Sequence, residues 1–253
     1  MMEHKILEFV RNKNVYGLNP DLFSNRFMTI EEMKAIFNYF GAFWQYEGEP
    51  CKEKPHALLK AGGHSNGFIA CKEVLHHPRI CVLFANEMFK LIREKVKNLG
   101  RIDVIASSAY SAITLGWEVA RLISDYNSEV EYIPVEKDEN GNPTIIRGGI
   151  DSGKNVLIIN ELMTTGSGST WETKQAVLKC NGEDPAPQII EPAFVLVHRS
   201  KDITLADGSA VQPVFHFDIE NFKPEECPYC KVGSEAIKPK VDDNWKRLHR
   251  RIM

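Results

Sequence analysis

The pattern of apolar and polar residues predicts that strands and helices alternate between about residues 55 and 220. Short continuous apolar runs are typical of buried parallel strands, which are covered on both faces and need not alternate. The predicted strands are residues 102–106, 131–135, 156–159 and 193–198, and the predicted helices are residues 78–99, 112–123 and a segment through Trp171 and Val177. This order predicts an α/β fold with a central, mostly parallel sheet flanked by helices.

Two further segments flank this core of residues 56–220. Residues 1–55 are predicted to be a helical N-terminal addition, or hood, in which Thr29 and Glu32 have the spacing of a capping box. An apolar stripe at helical spacing follows them, and its more ordinary role is packing on the main domain. Residues 221–253 are predicted to be a C-terminal arm, extended over about residues 233–240 and ending in a short basic helix over residues 241–253.

Composition excludes several classes of protein. The 253 residues carry a net charge of -3 with both signs interspersed, which argues against a nucleic-acid surface. Apolar runs are too short to cross a bilayer and the N-terminal residues lack a signal-peptide core, so we expect a cytoplasmic protein that does not contact a membrane. Six widely spaced cysteines do not suggest a disulfide scaffold.

The most informative segment follows the apolar run Val156–Ile159. Asn160 and Glu161 come directly after this run, and a loop of small residues then leads into a helix. The loop residues are Thr164, Thr165, Gly166, Ser167, Gly168 and Ser169. Glycines allow close backbone approach, hydroxyls donate hydrogen bonds, and amides at a helix start point at an anion. The spacing fits neither a Walker A loop nor G-x-G-x-x-G, so we expect a phosphorylated small molecule, with Glu161 beside its hydroxyls or a metal.

Two other strand ends carry candidate ligand groups. Ser107, Ser108 and Ala109 follow the strand at residues 102–106 and suggest a second anion site, suited to pyrophosphate. The alternative is that Ser108 or Ser111 simply caps the next helix. The polar stretch of residues 136–149 is suited to a mobile lid or to a solvated hairpin loop.

Residues 156–169 resemble the phosphoribosyl pyrophosphate (PRPP) signature of type I phosphoribosyltransferases, with Asn160-Glu161 in place of the usual acidic pair. The resemblance implies the type I phosphoribosyltransferase fold. It also implies that the loop Thr164–Ser169 binds the 5-phosphate, that the residues before it hold the ribose hydroxyls, and that residues 107–109 bind pyrophosphate. Mg²⁺ would accompany PRPP and need few protein ligands.

A narrower resemblance, to orotate phosphoribosyltransferases, rests on residues 56–69. Lys60 and Phe68 match that subfamily in spacing, and the resemblance implies that Lys60 contacts PRPP and the base and that Phe68 lines the base pocket. Lys137 matches one member of a lid Arg-Lys pair, and Arg199 either binds a carboxylate or is a surface arginine. The resemblance implies Glu161, Lys137 and Lys60 as catalytic residues, orotate as the acceptor base and a homodimer that shares its active sites.

Departures from the family pattern leave other functions open. Asn160, Glu136 in the place of the lid arginine and a lid poor in cations all favour a non-catalytic PRPP or nucleotide sensor on the same fold. A second alternative is a transferase that uses a purine or another planar base. The third is an interaction protein in which the arm carries the function.

The arm contains Cys227 and Cys230 in a Cys-x-x-Cys motif. Two thiols at this spacing bind a structural zinc ion, remain a reduced pair or act as a redox couple. A zinc site needs further ligands, and the candidates are His216, Cys51, Cys71, Cys81 or a partner subunit.

Overall fold

The predicted alternation of helices and strands is confirmed in a computed structural model, which describes residues 3–12, 14–60, 62–199 and 203–250. The helices are α1 (Glu3–Arg11), α2 (Ile30–Tyr39), α3 (Cys71–Leu75), α4 (Pro78–Lys95), α5 (Ile113–Ile123), α6 (Ser169–Lys179), α7 (Pro228–Lys231) and α8 (Asn244–Leu248), with short 3-10 helices at Val15–Gly17, Pro20–Phe23 and Leu99–Arg101. Residues 251–253 of the predicted basic helix lie outside the described residues.

The strands bear out the predicted order with shifted ends. They are β1 (Phe43–Gln45), β2 (His56–Leu58), β3 (His64–Ser65), β4 (Gly67–Ile69), β5 (Val104–Ser108), β6 (Glu131–Lys137), β7 (Pro143–Thr144), β8 (Asn155–Met163), β9 (Gln188–Arg199), β10 (Val211–Phe217), β11 (Asn221–Phe222) and β12 (Ala236–Ile237). The helix predicted over residues 78–99 stops at Lys95 because Val96 is extended. The strand predicted at residues 102–106 begins at Val104.

The central sheet has the strand order β10-β9-β8-β5-β6-β7. Neighbours from β10 to β6 are parallel, and β7 is antiparallel to β6. After β6 the chain returns to the other side of β5 to form β8, so the strand order reverses between β5 and β8. Ligands of open parallel sheets bind beyond the carboxyl ends of the strands at such a reversal.

Helices cover both faces of this sheet, which explains the uninterrupted apolar run in β8. Leu157 and Ile159 belong to the core formed with α2, α4 and α5, whereas Val156 and Ile158 belong to the core on the opposite face, formed with α6. Helix α2 begins at the predicted capping box, since Thr29 accepts from the Glu32 N–H and Glu32 accepts from the Thr29 N–H.

A second, smaller sheet joins the start of the predicted core to the C-terminal arm. Its order is β11-β3-β2-β12, so strands from residues 56–65 pair with strands from the C-terminal arm. Trp44 anchors α8 beside this sheet, because its Nε1 donates to the carbonyl of Leu248 (2.9 Å). The arm is therefore packed against the region that contains Lys60 and Phe68. No helix among the described residues is long and apolar enough to cross a membrane.

Candidate active site

The loop between β8 and α6 has the geometry of the predicted anion cradle. Gly168 is the N-cap of α6 and provides no side-chain cap for the first turn. The Gly168 N–H donates to the carbonyl of Thr165 (3.3 Å), which turns the chain into the helix. The side chains of Thr165 and Ser167 are exposed. Amides of a first helical turn lack intrahelical acceptors and carry partial positive charge, so this loop favours an anion.

Position 166 requires glycine, because the cradle there packs closely against the segment between β9 and β10. A Cβ at Gly166 would lie 2.5 Å from the carbonyl oxygen of Thr204, closer than real Cβ contacts. The Ala206 N–H also donates to the Gly166 carbonyl (3.0 Å). Gly149, in contrast, has nothing within 4 Å of the corresponding position.

We expect Gly166→Ala to lower the free energy of unfolding by about 1–3 kcal/mol, because the methyl group and the Thr204 carbonyl oxygen compete for the same space. Urea denaturation of both variants measures this, with Gly149→Ala as the control that leaves stability within about 0.5 kcal/mol of the parent. Equal stability of the two variants would contradict the close backbone approach at Gly166.

Lys174 holds the segment that supports Gly166. This buried α6 side chain donates from Nζ to Glu191 (3.0 Å), Asp207 (2.9 Å) and Ser209 (2.9 Å). Hydrogen bonds from Ser209 and Lys174 hold the pKa of Asp207 well below its usual range. The sequence carried no local signal for this network, because its members come from separate elements.

Asn160 lies between the two predicted anion loops and is fully buried. Its Oδ1 accepts from Ser108 Oγ (2.9 Å) and from the Glu161 N–H (2.9 Å). Its Nδ2 donates to Ser169 Oγ (2.8 Å) and Thr170 Oγ1 (3.2 Å). A side-chain amide has two donors and two acceptor positions, so protein groups use all four. Asn160 therefore joins the end of β5 to the start of α6, and its predicted contact with ribose stays a prediction.

Residues 107–109 lie at the carboxyl end of β5, next to this amide. The Ser107 hydroxyl is 2.8 Å from the hydroxyl of Tyr132, whose pKa burial raises to about 12. The Ala109 N–H donates to the carbonyl of Val135 on β6 (2.8 Å). Because the serine hydroxyls contact neighbouring strands, the loop is held at the edge where the strand order reverses.

Helix α5, which follows this loop, begins without a side-chain cap. Its N-cap residue is Ala112, so the alternative prediction that Ser108 or Ser111 caps this helix is wrong. The Ser108 hydroxyl is instead directed to Asn160. The amides at the start of α5 therefore face no capping hydroxyl, an arrangement that suits the predicted pyrophosphate site.

Glu161 is a half-buried residue whose carboxyl group has one buried, unpartnered oxygen. Its Oε2 has no hydrogen-bond partner in the described part of the chain. Burial raises the pKa of Glu161 to about 7, although its own N–H and that of Leu162 lower it in part. An ordinary glutamate is fully ionised at neutral pH, whereas Glu161 changes protonation there. Such a group is suited to binding that switches on with ionisation.

Arg199 provides a second unpartnered polar atom, at the end of the neighbouring strand β9. Its side chain is buried, its Nη1 donates to the carbonyl of Gly67 (3.1 Å), and its Nε has no partner among the described residues. Burial lowers the pKa of Arg199 to about 10, so it remains a cation at neutral pH. Cys71 is near both charges: burial, with Glu161 close by, raises the pKa of its thiol, Arg199 lowers it in part, and the thiol donates to the Glu161 carbonyl (3.4 Å).

Phe68 and Lys60, both predicted to contact the substrates, lie in different surroundings. Phe68 is one residue from the Gly67 carbonyl that Arg199 contacts, and its ring lies 6.0 Å from that of Trp245, edge to face. Lys60 lies exposed in the turn between β2 and β3. The described contacts therefore connect Phe68 to the Arg199 side of the site, while the predicted role of Lys60 rests on the resemblance.

Lys137 lies on the lid side. The stretch predicted as a lid or solvated hairpin starts as a hairpin, in which β7 pairs with the end of β6. Lys137 is 62% exposed and its Nζ lies 3.4 Å from the carboxylate of Glu172 in the first turn of α6. This contact places a cation near the predicted phosphate loop. An ion pair that is this exposed contributes little to stability.

Cys227 and Cys230 face two histidines that sequence reasoning did not select. The ligand atoms of His56, His64 and both cysteines lie within 4.8 Å of one another. The expected completing ligands lie elsewhere: His216 pairs with His198, Cys71 contacts Glu161, Cys51 contacts Tyr46, and Cys81 is buried on α4. Two histidines flanking Lys60 were the available signal, but their separation from the cysteines concealed it.

Comparison with known proteins identifies the family. No family model matches this sequence. The sequence is 32% identical over 213 residues to the orotate phosphoribosyltransferase of Pelotomaculum thermopropionicum, covering 84% of this chain and 97% of that protein. The chain belongs to the orotate phosphoribosyltransferase family. The orotate phosphoribosyltransferase of Caldanaerobacter subterraneus is 31% identical over 188 residues, covering 74% of this chain and 88% of that protein.

A solved structure of the same family shares the fold. The crystal structure of orotate phosphoribosyltransferase from Aeropyrum pernix superposes with a TM-score of 0.52 at 15% identity, covering 72% of this chain and 92% of that one. The predicted type I phosphoribosyltransferase fold and the family assignment are therefore confirmed, and with them the classification of the chain as a phosphoribosyltransferase.

Proposed function

We propose that this protein transfers the 5-phosphoribosyl group of PRPP to a ring nitrogen of orotate and releases pyrophosphate. The observation that carries the proposal is the pair of unpartnered buried atoms, Glu161 Oε2 and Arg199 Nε, at the carboxyl ends of adjacent strands. Leaving a buried polar group without a partner costs about 1–3 kcal/mol, and a ligand with hydroxyl and carboxylate groups would recover that cost. The named activity of its relatives supports the same substrates.

Each predicted site residue takes a role in this proposal. The loop Thr164–Ser169 holds the 5-phosphate through amides and hydroxyls, and residues 107–109 bind the pyrophosphate. Arg199 binds the orotate carboxylate through its planar guanidinium group, because that fork matches a carboxylate. Phe68 lines the base pocket, and Lys60 and Lys137 approach the phosphates from the exposed side.

Glu161 acts on the ribose. In the reaction the bond between ribose C1 and the pyrophosphate oxygen breaks while a bond from C1 to the orotate nitrogen forms, and the proton of that nitrogen leaves with the pyrophosphate. Positive charge develops on the ribose, and an ionised Glu161 stabilises it across a buried, low-dielectric site. Its unpartnered Oε2 also suits ribose hydroxyls, which are hydrogen-bond donors.

Mg²⁺ fits this donor set. It prefers oxygen ligands, retains several waters and is held mainly by substrate phosphates, so a single carboxylate such as Glu161 is sufficient on the protein side. Bound together with PRPP, such an ion would supply positive charge to offset that of the departing pyrophosphate.

The raised pKa of Glu161 predicts a pH dependence of PRPP use. Below pH 7 the carboxyl is mostly protonated, so one of its oxygens becomes a donor and the group carries no charge to offset positive charge on the ribose. We therefore expect kcat/KM for PRPP to rise as the pH increases through about 7 and then to level off. Steady-state assays from pH 5 to pH 9 at fixed ionic strength test this, and a profile flat between about pH 6 and pH 8 would contradict the assignment.

Calorimetric titration tests the proposed function directly. The protein is titrated with PRPP and Mg²⁺, orotate is then added, and pyrophosphate release is measured. We expect binding followed by release. Binding without release for any base would establish the sensor alternative, and release only with another base would correct the acceptor. No PRPP binding would refute the site assignment.

We further propose that the protein acts in the cytoplasm on these small molecules and functions as a homodimer. Tyr110 and Trp117, 81% and 63% exposed, present aromatic surface beside the pyrophosphate loop, which a second copy would cover. Sedimentation of the purified protein distinguishes dimer from monomer.

A further inference from the structure

Two histidines and two cysteines from distant parts of the chain converge beside the small sheet. His56 lies on β2 and His64 on β3, which are antiparallel neighbours. Cys227 is the N-cap of α7, and Cys230 lies within that helix. His56 and Cys227 are fully buried, His64 is 7% exposed and Cys230 is half-buried, so three of the four side chains are shielded from solvent. Imidazole and thiolate groups in a Cys₂His₂ set are characteristic ligands of structural zinc.

Four of the six separations are close to the edges of a zinc tetrahedron, and the other two are at most 4.8 Å. His56 Nε2 is 3.1 Å from His64 Nδ1 and 3.5 Å from Cys227 Sγ. Cys230 Sγ is 3.6 Å from His56 Nε2 and 3.2 Å from His64 Nδ1. Bonds of about 2.0 Å to nitrogen and about 2.3 Å to sulfur imply tetrahedral edges of about 3.3 Å between nitrogens and about 3.5 Å between nitrogen and sulfur. One ion would therefore reach all four atoms with small shifts.

A hydrogen-bond relay orients His56 for this task. The Ser234 hydroxyl donates to the carbonyl of Lys54 (2.7 Å), so its oxygen accepts from His56 Nδ1–H at 2.8 Å. The proton of His56 is thus on Nδ1, and the lone pair of Nε2 is directed at the two thiols and His64. Histidines that bind metals usually donate their other N–H in this way, which fixes the tautomer and the ring.

Burial argues against the redox function that the Cys-x-x-Cys motif also allows. A redox couple needs a solvent-accessible attacking thiol, normally the first cysteine of the motif. That residue here is Cys227, which is 0% exposed. Its neighbours in the cluster are imidazole nitrogens and another thiol, all of which are metal ligands.

We infer that His56, His64, Cys227 and Cys230 bind one structural Zn²⁺ ion that fastens the C-terminal arm to residues 56–69. The ion adds to the pairing of β2 with β12 and of β3 with β11, which joins the same two segments, and it lies at the base of the turn that carries Lys60. The arm in turn places Trp245 against Phe68. The metal therefore organises the region proposed to recognise orotate, a consequence that rests on the proposed function, whereas the metal site itself does not.

Metal analysis of the full-length, untagged protein tests the inference. We expect one zinc per chain by mass spectrometry, and Co²⁺ exchanged into the site should give the visible bands and thiolate charge transfer of a tetrahedral sulfur-containing centre. Protein that contains no zinc, and binds neither Zn²⁺ nor Co²⁺ after reduction of its thiols, would overturn the site. A disulfide between Cys227 and Cys230 in freshly purified protein would overturn it in favour of redox chemistry.

Variants separate ligation from folding. His64→Ala is expected to lose the metal and His64→Cys to retain it with stronger thiolate charge transfer, since Cys₃His is also a structural zinc set. Ser234→Ala should weaken zinc affinity by about 10–100-fold, because it removes the partner of His56. Cys180→Ser is the control, because this half-buried thiol is at the C-cap of α6, and the variant should keep stoichiometric zinc. Zinc content unchanged in His64→Ala would refute the ligand assignment.

The two proposals fail in distinguishable ways. Chelation of zinc from the parent protein should shift tryptophan emission to longer wavelength, since Trp44 and Trp245 belong to the cluster around the arm. It should also raise KM for orotate more than the Kd for PRPP. Zinc binding without any pyrophosphate release would refute the proposed function only, whereas pyrophosphate release by a chain that binds neither Zn²⁺ nor Co²⁺ would refute the metal site only.

Discussion

Replacement of Glu161 by glutamine should reduce turnover at least about 100-fold and, at the same time, stabilise the ligand-free protein at alkaline pH. Glutamine retains the shape of the side chain but cannot ionise, so it loses the electrostatic stabilisation of the ribose cation. The gain in stability has the opposite origin. In the folded protein the pKa of Glu161 is raised to about 7, so ionisation of this buried group opposes folding.

The sign of the pH effect follows from linkage. A carboxyl whose folded pKa exceeds its unfolded value contributes its full stability below the unfolded pKa of 4.5 and loses it as the pH rises through about 7. Glu161→Gln should therefore match the parent near pH 4 and exceed it by about 1–3 kcal/mol at pH 8. Chemical denaturation at both pH values measures this. Glu183→Gln, at an exposed position, is the control, and a stability difference independent of pH would contradict the assignment.

Arg199→Lys should lower kcat/KM for orotate by about 100-fold, mainly through KM, while the Kd for PRPP changes less than about 3-fold. Lysine preserves the charge but not the planar fork, so it cannot donate both to Gly67 and bidentately to a carboxylate. The separation of the two substrates is the informative readout, because a general loss of folding would weaken both.

Initial-rate kinetics with each substrate varied, together with calorimetry for PRPP, measure this effect. Arg101→Lys is the matched control, since Arg101 is exposed and precedes β5, at the end of the strand opposite to the proposed site. Equal losses for orotate and PRPP would place Arg199 in the architecture of the site rather than in base recognition.

Local sequence patterns predicted much of the fold and the phosphate cradle. The apolar run at residues 156–159 predicted β8 because a strand covered on both faces has no polar side, and each of these four residues is fully buried. The glycines and hydroxyls at residues 164–169 predicted the cradle because backbone approach and helix-start amides depend on neighbouring residues. The capping box at Thr29 was confirmed for the same reason.

Asn160 shows where local reasoning ends. From the sequence, an amide in the place of a carboxylate favoured a non-catalytic sensor on the same fold. In the structure its four hydrogen bonds connect β5, β8 and α6, a role that depends on three elements meeting. A motif position alone did not indicate whether its side chain faces a ligand or the protein.

By itself the sequence determined the order of elements and the family and predicted the phosphate loop, because each depends on contiguous residues with a fixed period or spacing. Only the tertiary structure decided the pKa values of Glu161 and Arg199, since burial by other elements raises the first and lowers the second. It also decided that Cys227 and Cys230 meet His56 and His64, because antiparallel pairing of β2 with β3 and docking of the arm bring together residues far apart in the chain.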